Sequence, residues 1–163
     1  MRTRQVALTL ALVLLAACGG GGDDAPVTVA QLGDDAVPSS ILGLRVETED
    51  VTERIENTDK PYVEAVGLFS LRDGKRLEAT LQVSTFADDV DPEDETFRQS
   101  IVDQIGSTEA KAFRMADEIV YLTASKRQNV AIFFEDSSFV VLSTLETFEQ
   151  SRALLREVME LNL

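Results

Sequence analysis

Two stretches of alternating residues meet at Asp73–Gly74, and they constrain the fold more than anything else in the chain. Upstream, Val63, Ala65, Gly67, Phe69 and Leu71 recur at every second position. Downstream, Leu77, Ala79, Leu81 and Val83 do the same, interleaved with Arg76, Glu78, Thr80, Gln82 and Ser84. A period of two places successive side chains on opposite faces of a strand. An Asp-Gly pair tolerates the positive φ that a two-residue turn needs. The pattern predicts a β-hairpin with one face on the core and the other in water.

The flanking segments supply the other elements. A first strand is expected at Ile41–Val46 and a short polar helix at Glu49–Ile55. Phe97, Ile101, Val102 and Ile105 recur at helical spacing, which predicts a helix from Pro92 to Ile105 with Gly106 closing its C-terminus. Asp91 then stands at the N-cap and Pro92 at the first helical position, with further acids facing the positive end of the helix dipole. A strand is read at Lys111–Met115. Three apolar runs, Ile119–Ala124, Val130–Phe134 and Phe139–Ser143, are separated by turn-like KRQN and EDSS and form an antiparallel meander. The middle run, VAIFF, lacks alternation, so both its faces are expected to be covered in a central strand. In the last segment Thr147 and Gln150 fit a capping box, and Phe148, Leu155, Val158 and Met159 line one helix face.

The order of hairpin, helix, strands and helix gives an α+β class: a mainly antiparallel β-sheet with helices flanking one face or both. That order over residues 60 to 163 resembles the Mog1/PsbP-like architecture, seen also in some actinobacterial lipoproteins. The resemblance implies a non-enzymatic binding or assembly module, an inference by analogy of fold.

The N-terminal residues carry a different message. Arg2 and Arg4 precede an apolar run from Val6 to Leu15, then Ala16, Ala17 and the single cysteine, Cys18. These are the parts of an export signal. The run is too short for a transmembrane helix, which needs roughly 20 apolar residues, and it meets glycines, then Asp23 and Asp24. Leu15-Ala16-Ala17-Cys18 resembles the lipobox of bacterial lipoproteins. That resemblance implies a diacylglyceryl group on Cys18, which becomes the mature N-terminus and anchors the protein to the membrane with two or three acyl chains. A lone cysteine in an oxidising compartment has no disulfide partner, and the lipid would remove that loose thiol. The expected organisation is a signal peptide at 1–17, a lipidated cysteine and flexible tether at 18–38, and a single domain at 39–163. The expected location is extracytoplasmic, on the cell membrane or on an outer membrane if the cell has two.

Charge and composition narrow the chemistry. A net charge of −14 opposes nucleic acid and anionic headgroups, leaving the lipid to hold the membrane. Histidine is absent, which removes imidazole triads and imidazole metal sites, and a lipidated Cys18 leaves no thiol nucleophile. Neither GxGxxG nor GxxxxGK[ST] occurs. The acids at 88, 89, 91 and 93–95 invite a calcium site but lack EF-hand spacing, and helix capping accounts for them. No catalytic residue, metal or cofactor is therefore assigned. Two readings stand together: an interaction or assembly module docking an envelope protein, or a binder of an apolar ligand in a cavity lined by residues such as Phe69, Leu81, Phe133 and Val141.

Overall fold

The computed structural model describes residues 29–55, 62–106, 110–115, 118–124, 128–145, 148–161 and 163. Cys18, the signal segment and Thr147 of the expected capping box lie outside them. In chain order the elements are β1 (Ala30–Gln31), β2 (Ser40–Ile41), β3 (Leu44–Glu49), α1 (Thr52–Ile55), β4 (Val63–Asp73), β5 (Arg76–Phe86) and α2 (Glu95–Gly106). They continue with β6 (Lys111–Met115), β7 (Glu118–Ala124), β8 (Asn129–Phe134), β9 (Ser138–Thr144) and α3 (Phe148–Met159). This is an α+β fold on a nine-stranded, mainly antiparallel sheet with strand order β2-β3-β4-β5-β9-β8-β7-β6. The short β1 pairs with β4 in parallel.

The hairpin stands where the alternation places it, but its turn is one residue later. Asp73 opposes Arg76, so the loop is Gly74–Lys75, with φ of 57° at Gly74. Glycine at the first central position with positive φ is the signature of a type II′ turn. Two register shifts interrupt the ladder: Leu71 faces Ala79 while Arg72 faces Leu77, and Val63 faces Phe86 while Ala65 faces Thr85. Glu78 and Glu64 are the extra residues, each a β-bulge that breaks the alternation. Leu77 and Val63 consequently leave the face shared by Ala79, Leu81, Phe69 and Leu71.

The hairpin's second face is not in water. One apolar cluster holds Phe69, Leu71, Leu81, Phe133 and Leu142 with Leu154, Leu155 and Val158 of α3. A second holds Val66, Leu68, Phe86, Ile132 and Phe139 with Ile101 and Val102 of α2 and Val51 and Ile55 around α1. Neighbouring strand residues alternate between the clusters, so the sheet is a middle layer with α3 on one face and α1 and α2 on the other. Burial on both sides explains the unbroken VAIFF run. Strand β8 pairs with β7 and β9, and Ile132 and Phe133 are each buried on opposite faces. Each such side chain contributes about 1.5–3 kcal/mol relative to exposure.

Helix α2 carries the connection from β5, in the middle of the sheet, to β6 at its far edge. The meander β6-β7-β8-β9 then returns, and β9 closes against β5. The expected α2 face is the buried one: Ile101 and Val102 are enclosed, and Phe97 and Ile105 pack beside them.

Three expectations change. The helix starts at Glu95, and its cap is Asp94, whose Oδ1 accepts from the amides of Thr96 (2.8 Å) and Phe97 (3.3 Å). Asp91 caps an earlier turn, accepting from the Glu93 amide at 2.9 Å. Pro92 lies in that turn, which settles the chain into Asp94 before the helix begins. The segment expected as tether also enters the fold. From Val29 onward it is packed: Leu32 donates its amide to the Val66 carbonyl (2.9 Å), and Val29 and Val37 are buried in different clusters. The expected strand at 41–46 is likewise a hairpin, β2 turning at Leu42–Gly43 into β3.

Because Asp94 satisfies two amides of the first turn, Asp94→Ala is expected to destabilise the protein by about 0.5–2 kcal/mol. Asp91→Ala should cost less, and paired chemical-denaturation curves check that order.

Candidate functional site

The bulge at Glu78 is where the sheet builds something other than core. Alternation back from Leu81 and Ala79 would send residue 78 to the α2 face, but the extra residue leaves Glu78 and Ala79 together on the α3 face. Ala79 opposes Thr144 at the end of β9. The Thr144 hydroxyl lies 2.5 Å from that of Ser151, tying the strand to the first turns of α3 through a buried hydrogen bond. The Leu145 amide donates to the Glu78 carbonyl at 3.3 Å. Beside them, the β2–β3 hairpin turns through Leu42 and Gly43, both at positive φ (48° and 79°).

Between these elements lies a cleft of about 300 Å³, open to solvent. Leu42, Leu44, Ala153 and Leu154 give it aliphatic walls, and Asp73, Arg76 and Glu78 bring charge to it. Leu42 is 56% exposed and Leu145, next to Thr144, is 42% exposed. Leucine at φ 48° is in the left-handed region, which costs an L-residue roughly 1–2 kcal/mol and belongs by preference to Gly or Asn. A strained, exposed apolar side chain at the lip of a cleft is the kind of outlier from which function is inferred.

Glu78 sits deeper. It is 9% exposed, and its Oε1 is held by Arg76 Nε at 3.0 Å. Its Oε2 is enclosed and has no hydrogen-bond partner. A buried carboxylate oxygen without a donor carries a desolvation cost that folding alone does not offset. Arg76 offsets little of it, because its side chain is 72% exposed and holds one oxygen only. On the opposite face Arg72 pairs with Glu47 at 2.8 Å and Glu49 at 3.9 Å, and the Ser70 hydroxyl donates to Glu49 at 2.5 Å.

The cleft thus sets the Glu78 carboxylate among the hydroxyls of Thr144 and Ser151 and the aliphatic walls. The four residues considered as an apolar lining do not share a cavity. Phe69, Leu81 and Phe133 face α3, whereas Val141 faces α2. A void under α3, lined by Leu122, Ala131, Leu142 and Leu155 among others, is about 10 Å³, room for a water molecule at most. In the acidic segment, Asp91 and Asp94 are spent on backbone amides, and among the described residues no group of three acids or thiols is placed to hold a metal. Sequence reading passed over Glu78 and Leu42. The signal for Leu42 was present in the Leu-Gly pair, a two-residue turn hidden inside an apolar strand pattern. Glu78 carries none, since the residue pattern alternates straight through the bulge.

Two groups elsewhere in the fold titrate above their usual range. Burial pushes the Tyr62 phenol up to about 12. Burial, reinforced by the nearby charges of Glu118 and Asp136, raises Glu135 at the β8–β9 turn. Set against known proteins, the chain matches no family model, no curated protein and no solved structure.

Leu42→Asn should therefore raise stability by up to about 1 kcal/mol, since asparagine accepts the left-handed region at lower cost. Unchanged or lowered thermal stability would contradict the strain. For Glu135 the folded-state pKa lies above the unfolded one, so its contribution is neutral below the unfolded value and turns unfavourable as pH rises through the folded one. Glu135→Gln is expected to raise the melting temperature at pH 7 and to have little effect near pH 3, in melts compared at both pH values.

Proposed function

We propose that this protein is a bacterial lipoprotein, anchored through an acylated Cys18 on the extracytoplasmic side of the cell membrane, or of an outer membrane where there are two. Its domain is a non-enzymatic interaction module that docks an envelope protein over the cleft beside α3. The observation that carries this reading is Leu42, exposed and at positive φ, at the lip of an open cleft whose lining brings Asp73, Arg76 and Glu78 together. Apolar rims around a polar anchor are characteristic of association surfaces. The absence of histidine from the sequence supports a binding role over catalysis. The division of the four expected lining residues between two faces weighs against an apolar ligand held between sheet and helices.

At the level of fold, the three-layer arrangement supports a Mog1/PsbP-like architecture as the finer description. The acidic character of the chain suits a domain held near a membrane by lipid rather than by its surface. No helix among the described residues is long and apolar enough to cross a membrane.

The test uses full-length protein in its own membranes, with a photo-crosslinking side chain at position 42 and, as a control, at the exposed Asp103 of α2. A discrete adduct from position 42 and none from 103 is expected. The intact mass of purified protein should show cleavage before residue 18 and an added diacylglyceryl group. An unmodified thiol at Cys18 would remove the anchor, and equal crosslinking from both positions would remove the docking surface.

A further inference from the structure

We infer that the domain stands off the membrane with its cleft at the far pole, so that the docked partner is a protein of the aqueous extracytoplasmic space and not one embedded in the anchoring bilayer. This deepens the docking reading above and rests on it and on the anchor at Cys18.

The sheet has two ends, and the cleft lies at one of them. Its lining comes from the β2–β3 turn (Leu42), both sides of the β4–β5 turn (Asp73 and Arg76), the end of β9 (Thr144) and the start of α3 (Ser151). The chain enters at the other end. Strand β1 lies parallel to β4, with Ala30 beside Ala65 and Gln31 beside Val66. It therefore runs toward the cleft, and Val29, the first described residue, is on the side away from it, in one cluster with Val51, Ile55 and Val63. Helix α3 spans the same axis. Ser151 sits against Thr144 at the cleft end, and the Leu163 carbonyl accepts from Ser138 at the other.

Length then favours one orientation. From Ala65 to Asp73 the strand rises about 26 Å, at about 3.3 Å per residue. Between Cys18 and Val29 stand ten residues, 19–28, which bridge at most about 40 Å whatever their conformation. To lay the cleft on the bilayer, that segment would have to run back beside β4 and use about two thirds of its full reach. Pointing the cleft outward uses none of it.

Charge keeps the domain off the surface without turning it over. Glu64, Asp88, Asp89, Glu118 and Asp136 are exposed around the end where the chain enters, and they repel anionic headgroups. Salt confines that repulsion to about 8 Å at physiological ionic strength, a gap the segment before Val29 easily allows. Standing off relieves the repulsion, so reversal of the domain gains nothing. A protein embedded in the same bilayer would have to rise past the whole domain to meet the cleft, whereas a protein in solution meets it directly.

Because the lipid takes up the single cysteine, an introduced one can be labelled alone. Lys75→Cys, in the β4–β5 turn, and Glu64→Cys, at the start of β4, each carry a donor fluorophore. The full-length lipidated proteins are reconstituted into phosphatidylcholine–phosphatidylglycerol vesicles that contain a rhodamine-labelled phospholipid. Energy transfer from position 75 is expected to be about half of that from position 64 or less, in keeping with a difference in height of about 26 Å. Equal transfer would lay the domain on its side, and greater transfer from 75 would put the cleft on the bilayer; either overturns the inference. In cells, the protein crosslinked through position 42 is identified by mass spectrometry, and one without a membrane-spanning helix or barrel is expected. A partner embedded in the anchoring bilayer overturns this inference and leaves the docking surface standing. No adduct at all removes the docking reading and this inference with it, even where the energy transfer is as expected.

Discussion

The ladder between β5 and β9 is the interaction on which the rest of the structure depends. It pairs Ala79–Thr85 with Ser138–Thr144 across more than fifty residues of chain, joining the hairpin half of the sheet to the meander half. Closing so distant a pair costs loop entropy before any contact offsets it. The offset comes from both faces at once. Leu81 and Val140 go to the α3 layer, and Phe139 and Val141 to the α2 layer. Neither helix layer could form without it, because each cluster draws residues from both halves.

The same ladder creates the site. Its last pair, Ala79 with Thr144, lies at the edge of the α3 layer, where the helix begins and the core runs out. There the bulge turns Glu78 onto the α3 face, the Thr144–Ser151 bond fixes the helix against the strand, and Leu42 is held in a strained turn. Three local departures from the lowest-energy arrangement converge on one cleft: an extra strand residue, an enclosed carboxylate oxygen without a donor, and a leucine at positive φ. The Tyr62 hydroxyl is likewise enclosed without a hydrogen-bond partner, whereas other polar groups are paired. Ser138 donates to the Leu163 carbonyl, and Gln31 bridges to Glu49 and Thr52.

The acids divide into those that work on the backbone and those that do not. Asp91 and Asp94 satisfy amides around the start of α2, and Asp50 accepts from the Thr52 amide, which lowers its pKa. These are local tasks set by the chain's own geometry. Glu78 is different because its surroundings come from tertiary closure: β9 ends beside it, where the Leu145 amide donates to its carbonyl, and α3 lines the same cleft.

Periodicity in the sequence determined the hairpin, the meander, the buried face of α2 and the central position of β8. All follow from alternation, its absence in VAIFF, or helical spacing over neighbouring residues, where the side-chain direction is fixed by backbone geometry. Tertiary structure decided what periodicity does not encode. The burial of both sheet faces depends on where α2 and α3 land. The shift of the cap from Asp91 to Asp94 depends on how the chain leaves β5. The entry of residues 29–37 into the fold depends on an open edge of β4 next to β3. The cleft depends on all of these, since Leu42, Glu78 and Ser151 are far apart in the chain and are brought together by the closing strand. A bulge adds one residue to a ladder whose partner is not adjacent in sequence, so its effect on Glu78 exists only once that partner is in place.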